Sequence, residues 1–219
     1  MKLIHLGSVI SVGAEAVIYK GYFIDREAVI KKRVRKKYRN PLLDKRIRLL
    51  RTRREAIILV RARSIGVPVP ILYYLDLSDY TIVMEHIDGE LLREIVDEIH
   101  DEKLSKLSEQ LGKFIGLLHG NKIVHGDLTT SNVMLKDDEG LYLIDFGLGN
   151  ITYDIEEYAT EIHLFKRALK ASHPDKFNTI FKSFIRGYRS TYPKADSVLE
   201  RASTIELRGR YIEKNRRRK

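Results

Sequence analysis

The chain has 219 residues, 43% of them apolar and 32% charged, and no cysteine. That is enough for one cored domain or two small lobes, and it excludes general disorder, disulfides, thiol catalysis and cysteine–zinc sites. The net charge of +10 is unevenly placed: residues 31–54 carry +12 and residues 208–219 carry +6, on a body that is otherwise acidic. This pattern predicts either polyanion binding at two defined segments or a solvated basic helix face followed by a solvated tail.

In chain order, Lys2, the mostly apolar stretch Leu3–Val12 and Ala14-Glu15-Ala16 have the outline of a signal peptide. His5, Ser8 and Ser11 interrupt the apolar part, and secretion is not expected. Val9–Val12, Ala16–Phe23 and Glu27–Val34 read as strands rich in β-formers. Residues 44–63 read as an arginine-rich helix, ended by Gly66-Val67-Pro68-Val69-Pro70. Strands Ile71–Leu77 and Tyr80–Glu85 follow. After Gly89 the apolar period becomes helical, with stripes at Leu91, Leu92, Ile95 and Ile99 and at Leu104, Leu107, Leu111, Phe114, Ile115 and Leu118. A hairpin, Val133–Lys136 and Leu141–Ile144 about a turn at Asp137–Gly140, precedes further helices beyond Asn150. No run reaches the roughly 20 apolar residues that cross a bilayer. The expectation is a β-rich lobe, a helical lobe and a cleft between them.

The chemistry concentrates in His125-Gly126-Asp127-Leu128-Thr129-Thr130-Ser131-Asn132, followed thirteen residues after Asn132 by Asp145-Phe146-Gly147. Phosphoryl transfer needs one carboxylate near the attacking group and two oxygen ligands holding Mg²⁺ on the phosphates. An Asp, four residues and an Asn on one loop, with a hairpin returning a second Asp, supplies that set. Asp127 is the candidate base; Asn132 and Asp145 are the candidate metal ligands. Upstream, Ala28-Val29-Ile30-Lys31 permutes the kinase V-A-I-K on a third strand. Lys32 competes with Lys31, and because a strand alternates faces only one of them can enter the cleft; motif register favours Lys31. Between Lys31 and Met84 the only glutamate is Glu55. It is either the ion-pair partner of Lys31 or the last residue of a capping box begun by Thr52. The segment Ser11, Val12, Gly13, Ala14, Glu15, Ala16, Val17 stands where kinases carry G-x-G-x-x-G-x-V and keeps one of the three glycines. Met84, Glu85, His86 and Ile87 are the expected hinge, offering backbone groups to an adenine edge or forming a plain strand end.

Together these residues resemble the eukaryotic-type protein kinase superfamily. Within it they are most similar to the small atypical PRPK-like kinases of the KEOPS (EKC) complex and their archaeal, Bud-type counterparts. The resemblance rests on Ala14-Glu15-Ala16, Ile30-Lys31-Lys32-Arg33, Lys37-Tyr38-Arg39 with Pro41, and Arg51-Thr52-Arg53-Arg54-Glu55-Ala56. It also rests on the His125–Asn132 run, Ile144-Asp145-Phe146-Gly147-Leu148 and Leu207-Arg208-Gly209-Arg210. It implies an α+β, bilobal protein-kinase-like fold with a β-rich N-lobe (1–86), a reduced helical C-lobe (87–207) and a basic C-terminal tail (208–219). It implies ATP and Mg²⁺ as cofactors, ATPase and serine/threonine kinase activity, and a cytoplasmic location away from membranes. It further implies a place in threonylcarbamoyl-adenosine modification of tRNA, with the threonylcarbamoyl-transferase subunit and other KEOPS subunits as partners.

Two departures from ordinary kinases constrain mechanism. Gly126 replaces the arginine of H-R-D, so nothing there can clamp a phosphorylated activation loop. Only about a dozen residues separate Gly147 from the helix near Glu161, so control by a partner protein rather than by loop phosphorylation is expected. The rival readings are a small-molecule phosphotransferase and a nucleic-acid-binding pseudokinase scaffold. The basic helix face and tail are expected to meet tRNA phosphates.

Overall fold

A computed structural model describes residues 3–136 and 140–216, the last eight of these as backbone. The turn expected at Asp137–Gly140 and the end of the tail, Arg217–Lys219, therefore lie largely outside the described residues. The N-terminal part is a five-stranded antiparallel sheet in the order β1-β2-β3-β5-β4, formed by β1 (Ile4–Val12), β2 (Ala16–Phe23), β3 (Arg26–Arg33), β4 (Leu72–Asp76) and β5 (Thr81–Glu85). The stretch with the outline of a signal peptide is β1, paired with β2 from Ile4↔Phe23 to Val12↔Val17.

Between β3 and β4 the chain forms helix α1 (Pro41–Ser64). It begins three residues before the expected start. The Asn40 side chain accepts hydrogen bonds from the Leu42 and Leu43 N–H groups, and Pro41 supplies a preset φ at the first turn. The helix ends at Ile65, with Gly66 following in the left-handed region at φ +84°. Its buried stripe runs through Thr52, Glu55, Leu59 and Ala62 at three- and four-residue spacing, with Ala56 beside it, and begins with the fully buried Asp44. Asp44 is satisfied there by the Lys36 N–H at 3.1 Å and by Arg48 at 2.8 Å.

Strand alternation gives β3 two different faces. Ala28 and Ile30 join Val83 in a small cluster with Tyr19, Phe23 and Tyr73. The other face, with Val29, Lys31 and Arg33, looks toward α1 and the main core. That core is continuous from Ile58, Leu59 and Ile82 in the N-terminal part to Leu111, Phe146, Phe165 and Phe184 in the helical part.

The helical part contains β6 (Glu90–Leu91), α2 (Leu92–Ile95), α3 (Asp101–Gly120), β7 (Ile123–Val124), β8 (Val133–Lys136), β9 (Gly140–Leu143), β10 (Asn150–Ile151), α4 (Ile155–Ser172), α5 (Phe177–Thr191) and α6 (Ala195–Arg216). Helices α3 and α5 touch backbone to backbone. A β-carbon on Gly112 would strike the Phe184 carbonyl, and one on Gly187 the Glu109 carbonyl. The basic C-terminal segment continues α6 through Arg216. The architecture is the expected α+β, bilobal, kinase-like one. Among the described residues no helix is long and apolar enough to cross a membrane.

Candidate active site

The loop between β7 and β8 carries Asp127 and Asn132, and the loop after β9 carries Asp145. His125 is fully buried at its base. Its Nε2–H donates to the Ile144 carbonyl at 3.0 Å, leaving Nδ1 to accept from the Asp127 N–H at 3.4 Å, and its ring lies 4.5 Å from that of Phe146. These contacts join the two loops, so His125 braces the site. Asn132 Nδ2 donates to the Asp127 carbonyl at 2.8 Å and to its carboxylate at 3.0 Å.

Gly126 has φ +83°, and a β-carbon there would strike the Leu148 carbonyl. The position therefore excludes the arginine of H-R-D on backbone grounds. Its N–H donates to Glu161 Oε1 at 2.6 Å; Glu161 Oε2 meets His119 Nε2 at 2.9 Å, and His119 Nδ1 meets the Tyr188 hydroxyl at 2.7 Å. Burial alone would raise the Glu161 pKa. The His119 hydrogen bond and the Gly126 amide outweigh it and hold the carboxyl below the ordinary glutamate value. Thr130 Oγ1 is 3.0 Å from His173 Nε2, which ties the same loop to the end of α4.

On β3, Lys31 Nζ lies 2.7 Å from Glu55 Oε1 and 2.7 Å from Asp145 Oδ1. The structure thus brings together three of the residues picked out in the sequence, from β3, α1 and the Asp-Phe-Gly loop. Burial works to lower the Lys31 pKa, but the charges of Glu55 and Asp145 outweigh it and raise the value, so the ammonium is retained. Burial works to raise that of Asp145, and Lys31 with the Gly147 N–H overcomes it. Asp145 adopts φ +59°, a left-handed backbone imposed by the turn. Lys32 points away and pairs with Asp79 at 2.6 Å on the exposed side. The capping-box alternative for Glu55 fails because α1 begins at Pro41, more than three turns earlier.

The Ser11–Val17 segment is the β1–β2 turn. It is closed by a Gly13 N–H bond to the Ala16 carbonyl at 2.9 Å and tied to β3 by a Val34 N–H bond to the Glu15 carbonyl at 3.2 Å. The Glu15 side chain is held by Arg39 at 3.1 Å and Arg51 at 2.7 Å. At the junction of the two parts Met84 and Ile87 are buried. Glu85 is tied to Ile71 through both its N–H and its carboxylate, and His86 lies 3.4 Å from Glu27.

Three residues of the site were missed in the sequence, Arg33 first among them. Arg33 is 4% exposed, and its Nη2 lies 2.5 Å from Glu55 Oε2. The alternation that separates Lys31 from Lys32 also puts Arg33 on the face of Lys31 and could have found it. Glu161 and His119 were missed too, and no local motif marks them.

The donor set fits a nucleotide-completed Mg²⁺ site. Asn132 Oδ1 and Asp145 Oδ2 accept no hydrogen bond among the described residues, and both are hard oxygen donors. No group of three or more His, Cys, Asp or Glu that could hold a metal alone occurs among those residues.

A family model, the RIO domain, matches residues 15–159. A Pyrococcus abyssi protein named KEOPS complex subunit Bud32 is 40% identical over 93% of the chain and 96% of its own length. Proteins named probable bifunctional tRNA threonylcarbamoyladenosine biosynthesis protein are 38% identical in Methanocaldococcus jannaschii and 42% identical in Methanospirillum hungatei. Those matches cover 92% and 91% of this chain and 36% of each relative, so the chain spans about a third of the bifunctional relatives.

Proposed function

The chain belongs to the RIO domain family, and from that premise we propose that it is an ATP-dependent phosphotransferase and ATPase. In this reading it serves as the kinase subunit of a KEOPS complex and supports threonylcarbamoyl-adenosine modification of tRNA. The names of its relatives support the setting. The observation that carries the chemistry is Lys31 bound at once to Glu55 and Asp145, with the residue before Asp145, Ile144, hydrogen-bonded through its N–H to the carbonyl of Asn132, the partner of Asp127.

Each residue has a separate task. Lys31, oriented by Glu55, receives the α/β-phosphates of the nucleotide. The Ser11–Val17 turn covers them, its carboxylate at Glu15 drawn aside by Arg39 and Arg51 so that it does not repel the phosphates. Asn132 and Asp145 would hold Mg²⁺, which when bound would neutralise charge on the phosphate oxygens. Asp127, with its amide braced by His125, orients or deprotonates the attacking group, either water or a serine/threonine hydroxyl. Backbone groups of the segment Met84, Glu85, His86 and Ile87 meet the adenine edge. The proposed partners are the threonylcarbamoyl-transferase subunit and other KEOPS subunits, together with tRNA.

The test is ATP turnover by wild type and Asp127→Ala, with and without tRNA and the transferase subunit. Asp127→Ala is expected to lower turnover by roughly 10²-fold or more, the contribution of a positioned base. Adding the partner is expected to raise wild-type turnover. Full activity in Asp127→Ala would sink the catalytic assignment. Turnover no higher than background in wild type, with tRNA and partner present, would favour the pseudokinase scaffold.

A further inference from the structure

We propose that Arg33 is a positioning residue of the phosphate site: it holds the second oxygen of Glu55, so that β3 and α1 stay locked while Lys31 turns from Asp145 to a nucleotide. This rests on the ATP-site reading above. Glu55 is 1% exposed and lies in the middle of α1. Lys31 takes its Oε1 at 2.7 Å and Arg33 its Oε2 at 2.5 Å, so one carboxylate bridges two cations from a single strand.

The four charges have unequal duties. Lys31 is shared between Glu55 and Asp145, whereas the only acid bonded to Arg33 among the described residues is Glu55. Asp145 is the acid that would ligate the cation, and Lys31 is the base that would meet the phosphates, so the Lys31–Asp145 contact must loosen when both arrive. Were Lys31 the sole partner of Glu55, the tie between strand and helix would depend on the group that has to reorient. A guanidinium stays charged when buried, which suits it to the fixed half of this bridge.

Two details argue that Arg33 is not there for stability alone. Its Nε is buried without a partner, a penalty that an apolar side chain of the same size would avoid. Its Nη2 also abuts the Asp-Phe-Gly turn, since a β-carbon on Gly147 would lie 3.3 Å from both Arg33 Nη2 and Lys31 Nζ. Arg33 therefore belongs to β3, bonds α1 and lies beside the turn that carries Asp145, the three pieces that the site must hold in register.

The experiment compares wild type with Arg33→Lys, Arg33→Gln and Arg33→Met by two readouts. Amide hydrogen exchange of α1 around Glu55, in the nucleotide-free protein, is expected to quicken by about tenfold or more in Arg33→Met and Arg33→Gln and to stay near wild type in Arg33→Lys. The KM for Mg-ATP is expected to rise by about tenfold in the neutral variants, with a smaller fall in kcat, and to recover in Arg33→Lys. Unchanged exchange in both neutral variants overturns the proposal. So does an Arg33→Lys protein as impaired as Arg33→Met, with the loss following a lowered Tm. The exchange readout needs no turnover, so it decides on Arg33 even if the ATPase reading itself fails. If Arg33→Met does not fold, Arg33→Gln carries the same expectations.

Discussion

The carboxylate of Glu161 sits between a backbone amide and an imidazole, 4% exposed, thirty-five residues along the chain from the glycine whose N–H it accepts. Through that one bond α4 fixes the start of the loop that carries Asp127. Because its folded pKa is depressed, its contribution to stability is present above the ordinary glutamate range and is lost as the pH falls through the depressed value. Glu161→Gln keeps one acceptor but turns an amide N–H toward a donor. It is expected to destabilise by about 1–3 kcal/mol at neutral pH, from the unmade hydrogen bond. Denaturant unfolding of both proteins at pH 7 and at about pH 3 checks this: the gap should narrow in acid, and a gap independent of pH would show that ionisation of Glu161 is not what is lost.

At the scale of elements, the close crossing of α3 and α5 depends on Gly112 and Gly187, where each helix backbone lies against a carbonyl of the other. Gly187→Ala is expected to destabilise by about 1–3 kcal/mol through overpacking, read as a Tm lowered by several degrees. An unchanged Tm would mean that the helices separate at no cost. This contact was not legible in the sequence, because a glycine in a helical stripe looks the same whether it faces water or a neighbouring backbone. What was legible is local. The strand pattern located β2, β3 and β5 closely, and the Asp127–Asn132 spacing put both side chains on one loop. The start of α1 was misread because its apolar stripe gives little warning, while the Asn40-Pro41 cap that sets it is a local signal that went unused. The two readings of Glu55 could be separated only by where that helix begins. Arg33 was within reach of the alternation rule but lay inside a basic run, where one more arginine carries no contrast.

At the scale of the whole molecule, the two basic segments and the acidic body can be divided by what each charge does. Of the thirteen basic residues in 31–54, six pair with acids: Lys31, Lys32, Arg33, Arg39, Arg48 and Arg51. Arg35, Lys36, Lys37, Lys45, Arg46, Arg53 and Arg54 form no ion pair among the described residues. Lys31, Arg33, Arg39 and Arg51 tie the Glu15 turn, α1 and β3 together, Arg48 pairs within α1 and Lys32 pairs with Asp79 on the exposed side, so each of these charges already has an acid beside it. The unpaired set lies on the β3–α1 loop and the exposed side of α1, and under the function proposed above it is the part of segment 31–54 open to tRNA phosphates. Binding of tRNA should therefore weaken linearly in log salt, with a slope of about −0.7 to −0.9 per phosphate neutralised. Replacing Arg53 and Arg54 together by alanine should reduce the magnitude of that slope by about 1–2. Arg48→Ala should leave the slope unchanged, since Arg48 is bound to Asp44 and stacked 3.9 Å over the Tyr80 ring. Filter or fluorescence titration of tRNA across a salt series reads all three proteins. A slope near zero in wild type would show that the basic balance serves only solvation. An equal loss in Arg48→Ala and in the Arg53/Arg54 variant would show that total charge governs binding, not the unpaired face.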